Sequence, residues 1–335
     1  MPNFRLRRSV LRASSLALGY PLMNEASAQA DPNKYPTQPI KVIVPFAAGG
    51  TLDVALRPIS QALLENLGQP ILIDNRAGAN GMIGTDLVAK ANPDGYTLLA
   101  VTASFALNPS IYKEMKYDVL KDFTPITCIM QGVGFVMVVH PSLPVKTVAE
   151  FIAYEKKSNQ TIAYSTPGIG NTIHIASELF NQKTGTHMLH VPYKGSAPSL
   201  NALVSGEVQV AIMPPGIVMP FIRSGKLRAI GFTGEKRLPE LPEVPTMAEV
   251  GIKDMVFQGT WMGLFGPANL PKNIVERLNK EFSRVLQQPV LKQTLSNSVA
   301  GYVSDGGTPE QMAKLLRDDV KRYSEILQKL NIQPS

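Results

Sequence analysis

The 335-residue chain is poor in the residues that build metal and redox centres, with one cysteine, one tryptophan and four histidines. A lone Cys128 excludes an internal disulfide framework. With no C-x-x-C pair and no H-E-x-x-H run, it also argues against a structural or zincin-type zinc centre. No G-x-x-x-x-G-K-[ST] run is present to cradle a triphosphate, and no G-x-S-x-G elbow to present a nucleophilic serine. The glycines of Gly78-Ala79-Asn80-Gly81-Met82-Ile83-Gly84 are spaced G-x-x-G-x-x-G, which is not the dinucleotide spacing. No dense Lys/Arg run or basic-aromatic stripe follows residue 31, so nucleic acid is not an expected partner. No uninterrupted apolar run reaches the roughly 20 residues that a membrane-spanning helix needs.

What the chain does have is 44% apolar residues, core material for about two domains. Its formal charge of +7 is concentrated at one end: residues 1–30 hold four Arg and one Glu, a net +3, which leaves +4 on the remainder. Those thirty residues comprise a basic stretch (Arg5, Arg7, Arg8, Arg12), a mildly apolar stretch over residues 11–23, and small residues Ala26, Ala28 and Ala30. That is the layout of a cleavable export signal, and Arg7-Arg8-Ser9-Val10-Leu11 has the order of a twin-arginine motif. A periplasmic protein is therefore expected.

After residue 31 the pattern is strand, glycine loop, helix. Ile40-Lys41-Val42-Ile43-Val44 precedes Ala47-Ala48-Gly49-Gly50, and then Leu52, Leu56, Ile59, Leu63 and Leu67 recur at helical spacing. The cadence repeats over residues 70–101 and begins afresh near residue 133. Ser165-Thr166-Pro167-Gly168-Ile169-Gly170-Asn171 and Pro192-Tyr193-Lys194-Gly195-Ser196 follow strands of that second series. Strands alternating with helices predict mostly parallel, doubly covered sheets, here in two α/β lobes. Pro58 inside the first helix predicts a kink. The C-terminal helical segments, including one opened by Thr308-Pro309-Glu310-Gln311, are expected to cover the first sheet.

Catalytic chemistry has no candidate constellation. His174 sits inside a helical pattern, and His140, His187 and His190 have no carboxylate nearby in sequence. The glycine- and hydroxyl-rich loops lie instead between strand ends and helix starts. There, unpaired N–H groups and the positive end of the helix dipole hold anions without any arginine. The same glycines also serve ordinary tight turns. Two such loops, one per lobe, point to binding in a cleft.

Val44-Pro45-Phe46-Ala47-Ala48-Gly49-Gly50-Thr51-Leu52-Asp53, Asp74-Asn75-Arg76-Ala77-Gly78, Pro93-Asp94-Gly95-Tyr96, Val191-Pro192-Tyr193-Lys194-Gly195 and Val244-Pro245-Thr246-Met247-Ala248-Glu249-Val250-Gly251 together resemble, in order and spacing, the Bug family of periplasmic solute receptors. These are the extracytoplasmic components of tripartite tricarboxylate transporters. The resemblance implies a type II periplasmic-binding-protein fold, with residues 31–133 and 258–335 as one lobe and 134–257 as the other. It implies a monomeric receptor for a small carboxylate, without cofactor, metal or catalytic residue, that works with the transporter's membrane components. Carried over, the ligand-facing positions are Phe46, Ala48, Gly49, Gly50 and Thr51 with Asp53 nearby, then Thr102, Ser104, Ser165, Thr166, Gly170, Asn171, His174, Tyr193, Lys194 and Gly195. Asp53 either orients its loop or accepts from the ligand. Val208-Gln209-Val210 and Met213-Pro214-Pro215-Gly216 depart from the family pattern toward an apolar pocket floor, which favours an aromatic or otherwise hydrophobic carboxylate. Two alternatives share these features: an enzyme of the same architecture using His174 or Asp53, and a sensor component that presents its ligand to a membrane kinase. The two lobes are expected to rotate together about crossovers near residues 133–139 and 257–261.

Overall fold

The computed structural model describes residues 35–253, 255, 261–299, 301–303 and 306–329. The export signal and residues 257–260 of the second expected crossover lie outside the described residues. The chain opens with β1 (Ile40–Val44), α1 (Thr51–Leu67), β2 (Ile71–Asn75), α2 (Met82–Ala89), β3 (Thr97–Thr102), α3 (Ser104–Ile111) and β4 (Phe123–Gly132). It continues with β5 (Val136–Val139), α4 (Val148–Lys157), β6 (Ala163–Thr166), α5 (Thr172–Thr184), β7 (Leu189–Pro192), α6 (Ser196–Val204), β8 (Val210–Met213), α7 (Pro215–Arg223) and β9 (Arg228–Phe232). Then β10 (Trp261–Pro267), α8 (Lys272–Leu286), α9 (Pro289–Ser298), β11 (Tyr302–Val303) and α10 (Pro309–Lys329) follow.

Two sheets result. The six-stranded sheet runs β11-β4-β10-β3-β1-β2 and the five-stranded one β7-β6-β8-β5-β9. In each, βα units pair in parallel, while one strand from the crossover region is inserted antiparallel: β10 between β3 and β4, and β5 between β8 and β9. The inner strands β3 and β5 are buried along nearly their whole length, because helices cover both faces.

On one face of the first sheet, Leu56, Ile59 and Leu63 of α1 meet Leu278, Phe282 and Val285 of α8. On the other, Met312, Leu316 and Tyr323 of α10 pack with Phe105 of α3. The C-terminal helices thus cover both faces of the first sheet. The α1 helix runs through Pro58 from Thr51 to Leu67 without a break. The chain leaves the first sheet at Gly132 and reaches the second at Val136. Gly134 in that crossover has φ +147, and a Cβ there would lie 2.6 Å from the Gly234 nitrogen, so only glycine fits. Every β-to-α loop of interest opens at the strands' carboxyl ends, where the two lobes face each other.

Candidate functional site

The β1–α1 loop is braced from within. Gly49 takes the left-handed conformation at φ +78 and donates its N–H to Asp53 Oδ2 at 2.9 Å. Arg57, one helical turn on, grips the same carboxylate with Nε at 3.0 Å and Nη2 at 3.0 Å. Asp53 is only 2% exposed, and burial by itself would raise its pKa. Arg57 and the Gly49 N–H outweigh that and hold the carboxyl below its ordinary value. Asp53 is therefore an ionised, satisfied loop brace whose charge Arg57 matches. Asn75 Nδ2 fixes the Phe46 carbonyl at 3.1 Å.

The brace leaves the helix start open. Gly50 is the N-cap of α1 and makes no side-chain cap bond, so the first-turn N–H groups keep their orphan character. Beside them, the hydroxyl of Thr51 is buried without a hydrogen-bond partner among the described residues.

The opposing loop, between β6 and α5, is also locked. Asn171 caps α5 by accepting from the Ile173 N–H at 2.9 Å, and its Nδ2 reaches across the cleft to Ser104 Oγ at 2.8 Å. Asn80 Nδ2 donates to the Gly170 carbonyl at 2.9 Å and to Asn108 Oδ1 at 2.8 Å, and Tyr112 donates to the Ile169 carbonyl at 3.2 Å. The lobes are thus in direct hydrogen-bonded contact, a closed arrangement.

Between the loops lies a cavity of about 40 Å³. The N-cap or first turn of four helices lines it: Gly50 and Thr51 of α1, Asn171 and Thr172 of α5, Ser196 of α6, and Pro214 ahead of α7. Each helix start is worth roughly 0.3–1 kcal/mol to an anion, and up to about 2 when partly buried. Phe46, Phe135, Pro167 and Ile173 supply apolar walls, and no Lys or Arg among the described residues lines the space. A second cavity of about 230 Å³ shares Phe46 and Pro167 with the first and is lined also by Asn80, Gly168, Tyr193 and Lys194.

The expected site residues therefore separate. Phe46, Gly50, Thr51, Asp53, Thr102 and Asn171 line the first cavity, whereas Tyr193 and Lys194 line the second. Ala48, Gly49, Ser104, Ser165, Thr166, Gly170, His174 and Gly195 line neither. Ser165 Oγ donates to the Ser199 carbonyl, and Thr166 Oγ1 pairs with His190 Nε2 at 2.6 Å. Gly195 brings the lobes together, since a Cβ on it would come within 3.2 Å of the Ala47 nitrogen.

His174 accepts the Gly170 N–H on Nδ1 at 3.2 Å and stacks on His190 at 4.0 Å between ring centroids, and Tyr164 also stacks on His190 at 5.0 Å. Burial lowers the pKa of both histidines, taking His190 to about 3 with His174 adding to the effect. The neutral pair supports the loop. No group of three or more His, Cys, Asp or Glu able to hold a metal occurs among the described residues.

Sequence reasoning passed over Asn80, Phe135, Ser196 and Tyr302, which line one cavity or the other. Asn80 carried a readable signal, an asparagine among glycines, and it sits at φ 49 in the left-handed region that Asn tolerates.

Residues 55–332 match the model of the tripartite tricarboxylate transporter family receptor. The chain belongs to that receptor family. Protein BugT of Bordetella pertussis is 34% identical over 90% of this chain and 92% of its own length. The structure of the periplasmic binding protein BugD superposes with TM-score 0.85 at 31% identity, covering 90% of this chain and all of that one. The Rhodopseudomonas palustris protein Rpa4515 with adipate gives 0.85 at 33% identity, covering 90% and 100%. MatC from the same species, with bound malate, gives 0.80 at 30%, covering 88% and 100%. As in these receptors, two α/β lobes enclose a cleft in a type II periplasmic-binding-protein fold, and no helix among the described residues is long and apolar enough to cross a membrane.

Proposed function

We propose that this protein is a monomeric periplasmic receptor that captures a small carboxylate with an aromatic or otherwise apolar body and passes it to the membrane components of a tripartite tricarboxylate transporter. One observation carries the reading: four helix starts and the unpartnered Thr51 hydroxyl converge on a cavity that no cationic side chain among the described residues lines. A water-sized group needs roughly 10–15 Å³ of such space, so about 40 Å³ suits a carboxylate head of three heavy atoms. Phe46, Phe135, Ile173 and Pro214 favour an apolar group next to it. The adipate and malate bound by two structural neighbours support the carboxylate class.

The same features favour binding over turnover. His174, a candidate acid or base, spends Nδ1 on Gly170 and lines neither cavity, and Asp53 is fully engaged by Arg57 and Gly49. Calorimetric titration of the exported chain against aliphatic and aromatic carboxylates tests the reading. Reversible 1:1 binding with the acid recovered unchanged is expected. Steady conversion of any acid, or the absence of binding across the panel, refutes it.

A further inference from the structure

We propose that His174 positions the closed cleft, and that protonation of its ring frees the β6–α5 loop and releases the bound ligand, so that affinity falls in acidic surroundings. The inference rests on the carboxylate reading of the first cavity and adds what controls its closure. His174 is the third residue of α5, and its Nδ1 reaches back to the Gly170 N–H at 3.2 Å, much as a Glu or Gln at that position reaches back in a capping box. Gly170 is a point where the lobes meet. It takes φ +69, a Cβ on it would lie 2.6 Å from Ile111 Cγ2 of α3, and its carbonyl accepts from Asn80 Nδ2 at 2.9 Å. The residues on either side make two further contacts across the cleft, Asn171 with Ser104 and Ile169 with Tyr112. One ring nitrogen thus holds the amide of the residue around which the lobes touch.

That nitrogen holds the loop only while it is unprotonated. A neutral imidazole accepting on Nδ1 carries its proton on Nε2, whereas the charged ring has two donors and would set one against the Gly170 N–H. The titratable groups facing the ring are Glu178 of its own helix, with Oε1 4.0 Å from Nε2; Tyr164 of β6, whose hydroxyl donates to that same Oε1; and His190 of β7, stacked at 4.0 Å. Glu178 is too far for a hydrogen bond, and the start of α5 opposes a positive charge. Burial keeps the ring's pKa below its ordinary 6.5, and Glu178 offsets only part of that. No histidine among the described residues lines either cavity, and Asp53 is held ionised, so the effect of acid reaches the ligand through the loop. The closed, liganded form binds fewer protons at His174 than the form with the loop freed. Acid therefore shifts the balance toward release.

The test measures the Kd of benzoate and of adipate by calorimetry from pH 7.5 to 4.5, counted per ionised acid, on wild type, His174→Asn and His174→Ala. Hydrogen exchange of the amides of residues 166–171 is followed over the same range without any acid present. Asparagine carries Oδ1 where histidine carries Nδ1, so it offers Gly170 an acceptor that does not titrate. Wild-type Kd should rise at least about threefold on acidification, with a ceiling of about tenfold per pH unit for a single proton. Protection of the loop amides, taken against the unstructured rate at each pH, should fall with it. His174→Asn should flatten both profiles, and His174→Ala should bind weakly with low protection already at pH 7.5. A flat wild-type profile, or a His174→Asn profile as steep as wild type, overturns the inference while leaving the carboxylate reading standing on the affinities at pH 7.5. If neither acid binds wild type at pH 7.5, both fall.

Discussion

Replacing Asn171 by alanine should do two separable things. Its Oδ1 caps α5 through the Ile173 N–H, whether or not the cleft is closed, and loss of such a cap costs about 1 kcal/mol. Its Nδ2 bond to Ser104 Oγ, 2.8 Å across the cleft, exists only while the lobes touch. A net intramolecular hydrogen bond is worth roughly 0.5–1.5 kcal/mol, or about a 2- to 13-fold change in an equilibrium constant. Because ligand binding and closure are linked, that second part appears in ligand affinity. Ser104→Ala removes the second part together with a long 3.4 Å bond from Thr102 Oγ1, but no helix cap: Ser104 is 1% exposed and sits at the start of α3 without capping it. Asn171→Ala should therefore lower both melting temperature and carboxylate affinity. Ser104→Ala should weaken affinity by a similar factor with a smaller change in melting temperature, and the double variant should bind no more weakly than Asn171→Ala. Melting curves and calorimetry on the three variants check this. Unchanged affinity in Ser104→Ala, or additive affinity losses in the double variant, would refute the cross-lobe clasp.

Two further outcomes follow from the same geometry and a third from the N-terminal sequence. Gly50 has φ −75 and a Cβ there would lie 3.4 Å from the Ala47 carbonyl, so Gly50→Val should fold; its branched side chain enters the gap toward Ser196 and should weaken carboxylate binding at least about tenfold, whereas Arg76→Ala, an ion pair with Asp74 at 2.9 Å, should change it far less in the same titration. His174 and His190 are held neutral in the fold but take up protons near pH 6.5 once unfolded; the unfolded state thus binds more protons, so stability is full above about pH 6.5 and falls toward pH 3, and melting temperatures from pH 7.5 down to 4 should drop less steeply in His190→Asn than in wild type. With Arg7 and Arg8 both changed to lysine, the precursor should stay inside the cell, and full maturation in the periplasm would assign export to the general secretory route.

The sequence made the βα units legible wherever a glycine loop separated a short apolar run from a helical one: β1–α1, β6–α5 and β7–α6 lie where that pattern put them. The antiparallel elements were harder. The run over residues 133–139 reads as one strand, yet β4 ends at Gly132 and β5 begins at Val136, because Gly134 must turn the chain between sheets. Asp53 was visible as a charged residue at a helix start, but its role depended on Arg57 one turn later and on the Gly49 N–H, an i−4 contact that no periodicity encodes. Asn80 was harder still, since its partners lie 28 and 90 residues away: Asn108 in its own lobe, and Gly170, which meets it only when the lobes close. Local pattern thus reported which loops face the cleft. Which groups on those loops remain unpaired was set by contacts between lobes.

The central claim is that backbone and hydroxyl donors at the start of α1 hold the ligand's carboxylate. A crystal structure of the chain with a bound carboxylate tests it most directly. A carboxylate oxygen is expected about 2.7–2.9 Å from a first-turn N–H of α1, with the Thr51 hydroxyl donating to it and Arg57 still on Asp53. A carboxylate gripped by an arginine side chain, or seated away from Gly50 and Thr51, would contradict it.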